Sequence, residues 1–160
     1  MSQLAAGAAA RAALPTPQDP DRVGHDWLAT LAEVPLFDGL PKSHLRRIAK
    51  LARIRRFAPG STMVRTGDPG RSFYVLLDGK AKVIRVDGRS RRLGVGDYFG
   101  EMALLDDAPR SAAVVADGEV LALTIDRPGF TKLLRAEPAL AQALLRTLAG
   151  RLRAAERTDA

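Results

Sequence analysis

Glycine, glutamate, arginine and serine fall within a dozen residues of one another between Gly100 and Ser111, and in that order they could hold a phosphate ester that carries a sugar. Gly100 lets the backbone come close to a ligand. The Glu101-Met102-Ala103-Leu104-Leu105 run that follows favours a short helical turn whose first N–H groups, including those of Met102 and Ala103, lack intrahelical acceptors and are partly positive. After Pro109 has stiffened the return, Arg110 can clamp two phosphate oxygens with its planar fork, and Ser111 adds a hydroxyl. Glu101 is the odd member, because a carboxylate repels a phosphate unless something else on the ligand donates hydrogen bonds to it. A sugar hydroxyl is the obvious donor. Phosphate and ribose together make a nucleotide. Each residue alone has an ordinary reading, as surface arginine, helix-start carboxylate or turn glycine. The fixed order of all of them, with Ala112 after the hydroxyl, is what points to a site.

The elements that must position this stretch change character along the chain. Residues 1–22, with Pro15, Pro17 and Pro20 and no apolar period, read as a disordered or weakly helical tail. The domain proper is expected over 23–157, with a short tail at 158–160. Trp27, Leu28, Leu31 and Val34 recur at helical spacing, broken by the turn chemistry of 35–41. A second helix carries Leu45, Ile48 and Leu51 on one face and Arg46, Arg47 and Lys50 on the other. After Phe57, glycines at 60, 67, 70, 79, 88, 94 and 96 punctuate short segments, the pattern of a compact sheet. Strands are expected at 54–57, 62–64, 73–77, 81–86, 91–93, 112–115 and 120–125. A helix over 127–136 begins at Pro128, and a longer one runs from Pro138 with Leu140, Leu144, Leu148 and Leu152 on one stripe. The fold class read from this order is α+β, mainly β: an antiparallel β-jelly roll with N-terminal helices, a short helix after Gly100, and C-terminal helices.

The run Phe99 to Leu105 followed by Pro109-Arg110-Ser111-Ala112 resembles the phosphate-binding cassette of cyclic-nucleotide-binding domains, shared by catabolite-activator-type regulators, cyclic-nucleotide-gated channels and protein kinase A regulatory subunits. The glycine spacing before it, and the flanking helices, are similar to that family from about Trp27 to Leu152. The resemblance implies that Gly100 and Glu101 bind the ribose 2′-hydroxyl and help cradle the phosphate. It implies that Arg110 pairs with the cyclic phosphate, and that Ser111 and Ala112 complete the cradle. Val83 is a candidate apolar wall for the base, and equally a candidate for ordinary core. Ala155 and Glu156 stand near where catabolite-activator relatives place hydroxyl residues against adenine. Ser111 is compatible with either base, and the expected ligand is cyclic AMP in preference to cyclic GMP.

Composition narrows the remaining choices. The chain has 160 residues, 46% hydrophobic and 27% charged, with no apolar run of membrane-spanning length and no secretory pattern at its start. Zero cysteines exclude disulfides and thiolate metal sites and fit the cytoplasm. His25 and His44 lie outside any metal-ligand spacing and read as helix-surface residues, so no metal and no cofactor is expected. The net charge of +7 comes mainly from arginines, in small groups at 46–47, 53–56, 89–92 and 151–153. Without interleaved aromatics these read as a solvated surface. No recognition helix follows the last helix, so sequence-specific DNA reading by this chain alone is not expected. Neither a metal-ligand cluster nor an activated nucleophile is visible, and the chain is not expected to be an enzyme.

The expectation is therefore a cyclic nucleotide receptor module. Ligand phosphate draws Arg110 and the turn from Gly100 to Ala103 inward, the helix after Arg127 shifts, and the helix from Pro138 closes as a lid, signalling to a separate effector protein. The ridge of the last helix offers a homodimer seam. The alternatives are a ligand-independent interaction scaffold of the same fold, and a basic binder of nucleic acid or anionic surfaces.

Overall fold

The computed structural model describes residues 28–159. The expected N-terminal tail, with His25 and Trp27, lies outside the described residues. A helix over 28–33 (α1) runs through a 3₁₀ turn at Pro35–Phe37 into α2 (Lys42–Leu51). Leu45 and Ile48 of α2 are buried, whereas Arg46, Arg47 and Lys50 are exposed, as the apolar period requires. Six strands follow, all paired antiparallel: β1 (Ala52–Phe57), β2 (Thr62–Val64), β3 (Ser72–Arg85), β4 (Ser90–Leu93), β5 (Tyr98–Phe99) and β6 (Ala112–Asp126). The short helix α3 (Glu101–Leu105) lies between β5 and β6. Helices α4 (Arg127–Ala136) and α5 (Pro138–Asp159) end the chain, α5 continuing past the domain boundary expected at 157.

The roll is organised on β3 and β6, which pair along nearly their whole length, with β1 on one flank and β4 on the other. Successive residues of a strand face opposite sides, and the two sides meet different partners. Phe73, Val75, Leu77, Leu121, Leu123 and Ile125 pack against the helices, through Leu31, Phe37, Ile48, Phe130, Leu133, Leu140 and Leu144. Tyr74, Leu76, Ala81, Val114, Ala116 and Ala122 instead form the inner face of the roll with Phe57, Met63, Leu93 and Phe99. The sheet thus seats helices on one side and a second packed core on the other.

The sequence expectation divided each long strand in two, and the structure corrects it. Segments 73–77 and 81–86 are one strand, and 112–115 and 120–125 are another, joined through register shifts between Leu76 and Lys80. Gly79 does not turn the chain. With φ +88 it forms a bulge, and a Cβ there would lie 2.2 Å from the Glu119 carbonyl oxygen. Tyr98–Phe99 is a strand too short to show a period of its own in the sequence. It pairs with Tyr74 and Val75, and Phe99 stacks on Tyr74 at 4.7 Å between ring centres. His44 also departs from expectation. It is not a free surface residue, because its Nδ1 lies 2.6 Å from Oε2 of Glu137.

Candidate functional site

The cassette is built on a backbone that only glycine accepts. Gly100 precedes α3 at φ +93, and a Cβ there would lie 2.7 Å from Arg110 Nη1 and 2.8 Å from the Ser72 carbonyl oxygen. Its bare backbone makes room for the guanidinium. Arg110 Nη1 donates to the Gly100 carbonyl at 2.9 Å and Nη2 to the Ser72 carbonyl at 2.7 Å. The main chain of Arg110 is fixed as well, since its N–H donates to Asp68 O and its carbonyl accepts from Gly67 N.

Arg110 is buried, 7% exposed, and among the described residues its guanidinium forms no ion pair. Burial lowers its pKa below the ordinary arginine value, a shift opposed first by Tyr74 and then by Glu101. The cation keeps its proton, and the remaining N–H donors have no anion on them. An anionic ligand opposite the fork would supply that counter-charge.

Glu101 opens α3 and is also buried, 2% exposed. Its Oε1 accepts from Arg151 Nη1 of α5 at 2.9 Å. That guanidinium lies 5.8 Å from the centre of the Tyr98 ring, and Tyr98 in turn lies 5.7 Å from Phe73, which stacks on Phe130 of α4 at 5.0 Å. The cassette carboxylate, the last helix and α4 are therefore joined by consecutive contacts. Arg127 adds a second tie. At the start of α4 it donates to the carbonyls of Gly70 and Ala103 and pairs with Asp107.

All the residues expected at the site come together. A half-open cleft of about 170 Å³ is lined by Val83, Gly100, Glu101, Met102, Ala103, Arg110, Ser111 and Ala112, with Val64, Val114, Tyr98, Arg91 and Arg151 beside them. Ser111 and Met102 are exposed at its rim, and Ala103 is buried. Val83 both lines the cleft and packs against the inner core.

Several lining residues were not singled out from sequence, and three of them, Arg151, Tyr98 and Arg91, carry polar groups into the cleft wall. Arg151 was counted with a solvated arginine cluster, but it turns into the site, a correction that no spacing rule could supply. Ala155 and Glu156, which stand near where catabolite-activator relatives place hydroxyl residues against adenine, are exposed and do not line the cleft. Tyr98 puts a buried hydroxyl without a hydrogen-bond partner at the cleft wall. Arg91 stands on β4 opposite Val83 in register, so the arginine and the apolar wall share one end of the cleft. Among the described residues no His, Cys, Asp and Glu group could hold a metal ion, and no helix is long and apolar enough to cross a membrane.

An antiparallel roll thus brings to one cleft a buried arginine without an ion pair among the described residues and a buried carboxylate, groups whose chemistry suits an anion that carries a hydroxyl. Residues 54–137 match the family model described as "Cyclic nucleotide-binding domain", and the chain belongs to that family. It is similar to a cAMP-dependent protein kinase regulatory subunit of Colletotrichum orbiculare, 40% identical over 106 residues, which are 65% of this chain and 27% of that protein. The match thus spans about a quarter of that relative's length. Among solved structures, the catabolite activator protein of Thermus thermophilus is 34% identical with a TM-score of 0.72, over 78% of this chain and 61% of that one. The regulatory subunit of a cAMP-independent protein kinase A from Trypanosoma brucei is 26% identical with a TM-score of 0.73, over 81% of this chain and 47% of that one.

Proposed function

We propose that this chain is a cyclic nucleotide receptor module whose cleft takes the cyclic phosphate on Arg110 and the ribose hydroxyl on Glu101. The observation that carries the reading is Arg110, a buried guanidinium without an ion-pair partner among the described residues, facing the same cleft as a buried carboxylate. Each group answers one half of the ligand: the fork takes the charge, and the carboxylate takes the hydroxyl proton. Gly100, Met102, Ala103, Ser111 and Ala112 supply backbone N–H groups and a hydroxyl around the phosphate. Val83 flanks the base.

Cyclic AMP is the expected ligand, in keeping with the cAMP-dependent naming of the fungal relative. Arg91 supports a second reading. A guanidinium reads the O6 and N7 acceptors of guanine, whereas adenine presents one acceptor and a donor on that edge. Arg91 at the Val83 end of the cleft therefore favours cyclic GMP.

Binding proceeds without bond breaking, because the groups that line the cleft hold no nucleophile oriented by a base. Ligand acts on the position of α5 through Glu101 and Arg151, and α5 presents the change to an effector protein or to a second copy of this chain. Leu145 and Leu152, 65% and 61% exposed on α5, supply the apolar ridge for that second copy. The competing scaffold and basic-surface readings account for the bonds of Arg110 to the Gly100 and Ser72 carbonyls but leave its buried charge without a counter-ion.

Calorimetric titration with cyclic AMP, cyclic GMP and 5′-AMP tests the proposal. Saturable binding of one cyclic nucleotide, absent for 5′-AMP and lost in Arg110→Ala, is the expected result. Absence of binding by both cyclic nucleotides overturns the receptor reading. Binding to nucleic acid that collapses with added salt and is indifferent to Arg110→Ala would install the basic-surface reading in its place.

A further inference from the structure

The joint between α4 and α5 is a single residue, Glu137. Pro138 behind it excludes the helical conformation there, and Glu137 adopts φ −126 and ψ 79. Its backbone serves both helices: the N–H donates to Leu133 O, and the carbonyl accepts from Leu140 N and Ala141 N. Any change in the angle between α4 and α5 must turn about this residue or bend one of the helices.

The side chain at this joint is a carboxylate in an apolar place. Glu137 is 2% exposed, among the helices that carry Leu45, Leu133, Leu140 and Leu144. Oε2 lies 2.6 Å from His44 Nδ1, whereas Oε1 is buried with no hydrogen-bond partner. A polar joint of this kind is costly where an apolar side chain would pack without penalty. The bond reaches across 93 residues to the half-exposed imidazole of α2. One contact therefore ties the N-terminal helices to the pivot of the last helix. The orphaned oxygen means that His44 is the side-chain hydrogen-bond partner of Glu137 in this stance, and a stance that admits water to Glu137 satisfies both oxygens.

We infer that His44 and Glu137 are a positioning pair, a latch that fixes the stance of α5 and thereby sets cyclic nucleotide affinity from outside the cleft. The inference rests on the receptor reading above for its effect on affinity, but not for its effect on α5. With the latch closed, α5 holds Arg151 on Glu101, and this offsets the repulsion between that carboxylate and an incoming phosphate. Neither His44 nor Glu137 lines the cleft. Their influence passes through the position of Arg151.

The chain contains no cysteine, so cysteines introduced at the exposed Lys80 and Arg153 take a pair of spin labels cleanly and report the stance of α5 in the ligand-free protein. His44→Ala is the primary variant. The imidazole is partly exposed, so the roll keeps its fold, and circular dichroism verifies this. The expected result is a broadened or shifted distance distribution in His44→Ala, restored by His44→Asn, which keeps a donor near the Nδ1 position. In a Glu137→Met background, adding His44→Ala should produce no further change. Calorimetry on the same proteins should show His44→Ala weakening the cyclic nucleotide by about fivefold or more, with Arg110 and Glu101 untouched. An unaltered distance distribution in His44→Ala overturns the latch, as does an equal effect of His44→Ala with and without Glu137. If the distances respond but the parent protein binds neither cyclic AMP nor cyclic GMP, the latch stands and the receptor reading falls.

Discussion

The cassette and the α4–α5 joint each bury a glutamate to the same degree, 2% exposed, and each gives it a cationic or cationisable partner from a distant helix. They differ in what surrounds the pair. At the cassette, Glu101 stands in an open cleft beside a second guanidinium, which has no ion pair among the described residues, so an arriving ligand can add contacts to both groups. At the joint, Glu137 lies between packed helices with one oxygen unanswered, and nothing can be added without moving a helix. The first arrangement is suited to receiving a ligand, and the second to constraining a helix. Both act on α5, Glu101 through Arg151 and Glu137 through the pivot itself. The lesson is that a buried carboxylate is informative only with its surroundings: open and beside a cation it receives, enclosed and half satisfied it positions.

The contrast can be broken most directly at Arg110. Arg110→Ala removes the guanidinium that donates to the Gly100 and Ser72 carbonyls, and cyclic nucleotide binding should weaken by about 2–3 kcal/mol, roughly 30- to 150-fold. Titration calorimetry reads this directly, and an unchanged affinity would remove the cassette from the function. Gly100→Ala probes the same place through the backbone. The positive φ and the 2.7 Å approach to Nη1 should cost about 1–2 kcal/mol of stability, seen as a lower thermal midpoint, and should misplace the fork.

The paired substitutions Glu101→Gln and Glu137→Gln sharpen the comparison, since both keep shape and remove charge. Glu101→Gln should weaken ligand by about tenfold, because a hydrogen bond to a charged acceptor is lost. Glu137→Gln keeps an acceptor for His44 and should move affinity by less than about threefold. Equal effects would erase the distinction between receiving and positioning. The smallest effect is expected on the outer face of α5. Leu145→Glu with Leu152→Glu should leave the folding free energy within about 0.5 kcal/mol per site. Sedimentation should shift from dimer to monomer, and a parent chain already monomeric removes the seam.

Much of the cassette was legible because its members are neighbours in sequence. Gly100, Glu101, Arg110 and Ser111 sit on one hairpin-like excursion, and glycine, proline and the short apolar helix dictate its path locally. The helices at 42–51 and 127–136 were equally legible, from apolar period and from a proline at the start of the latter. The long strands were not, because Gly79 and Gly118 are written alike whether they end a strand or bulge it. The difference lies in whether a second strand continues alongside, as β6 does for β3.

The sequence by itself determined the site's chemistry: which groups could meet a phosphate and a hydroxyl, and that a glycine had to precede them. It also determined the class of fold, since the alternation of short apolar segments and turns admits few other packings. Only the tertiary structure decided the pairings, Arg151 with Glu101 across 50 residues and His44 with Glu137 across 93. The physical reason is that a local pattern fixes which face of an element is apolar, whereas an ion pair depends on where two packed elements stop against each other. That stopping place is set by the whole core, to which every strand and helix contributes, and no short window of the chain contains it.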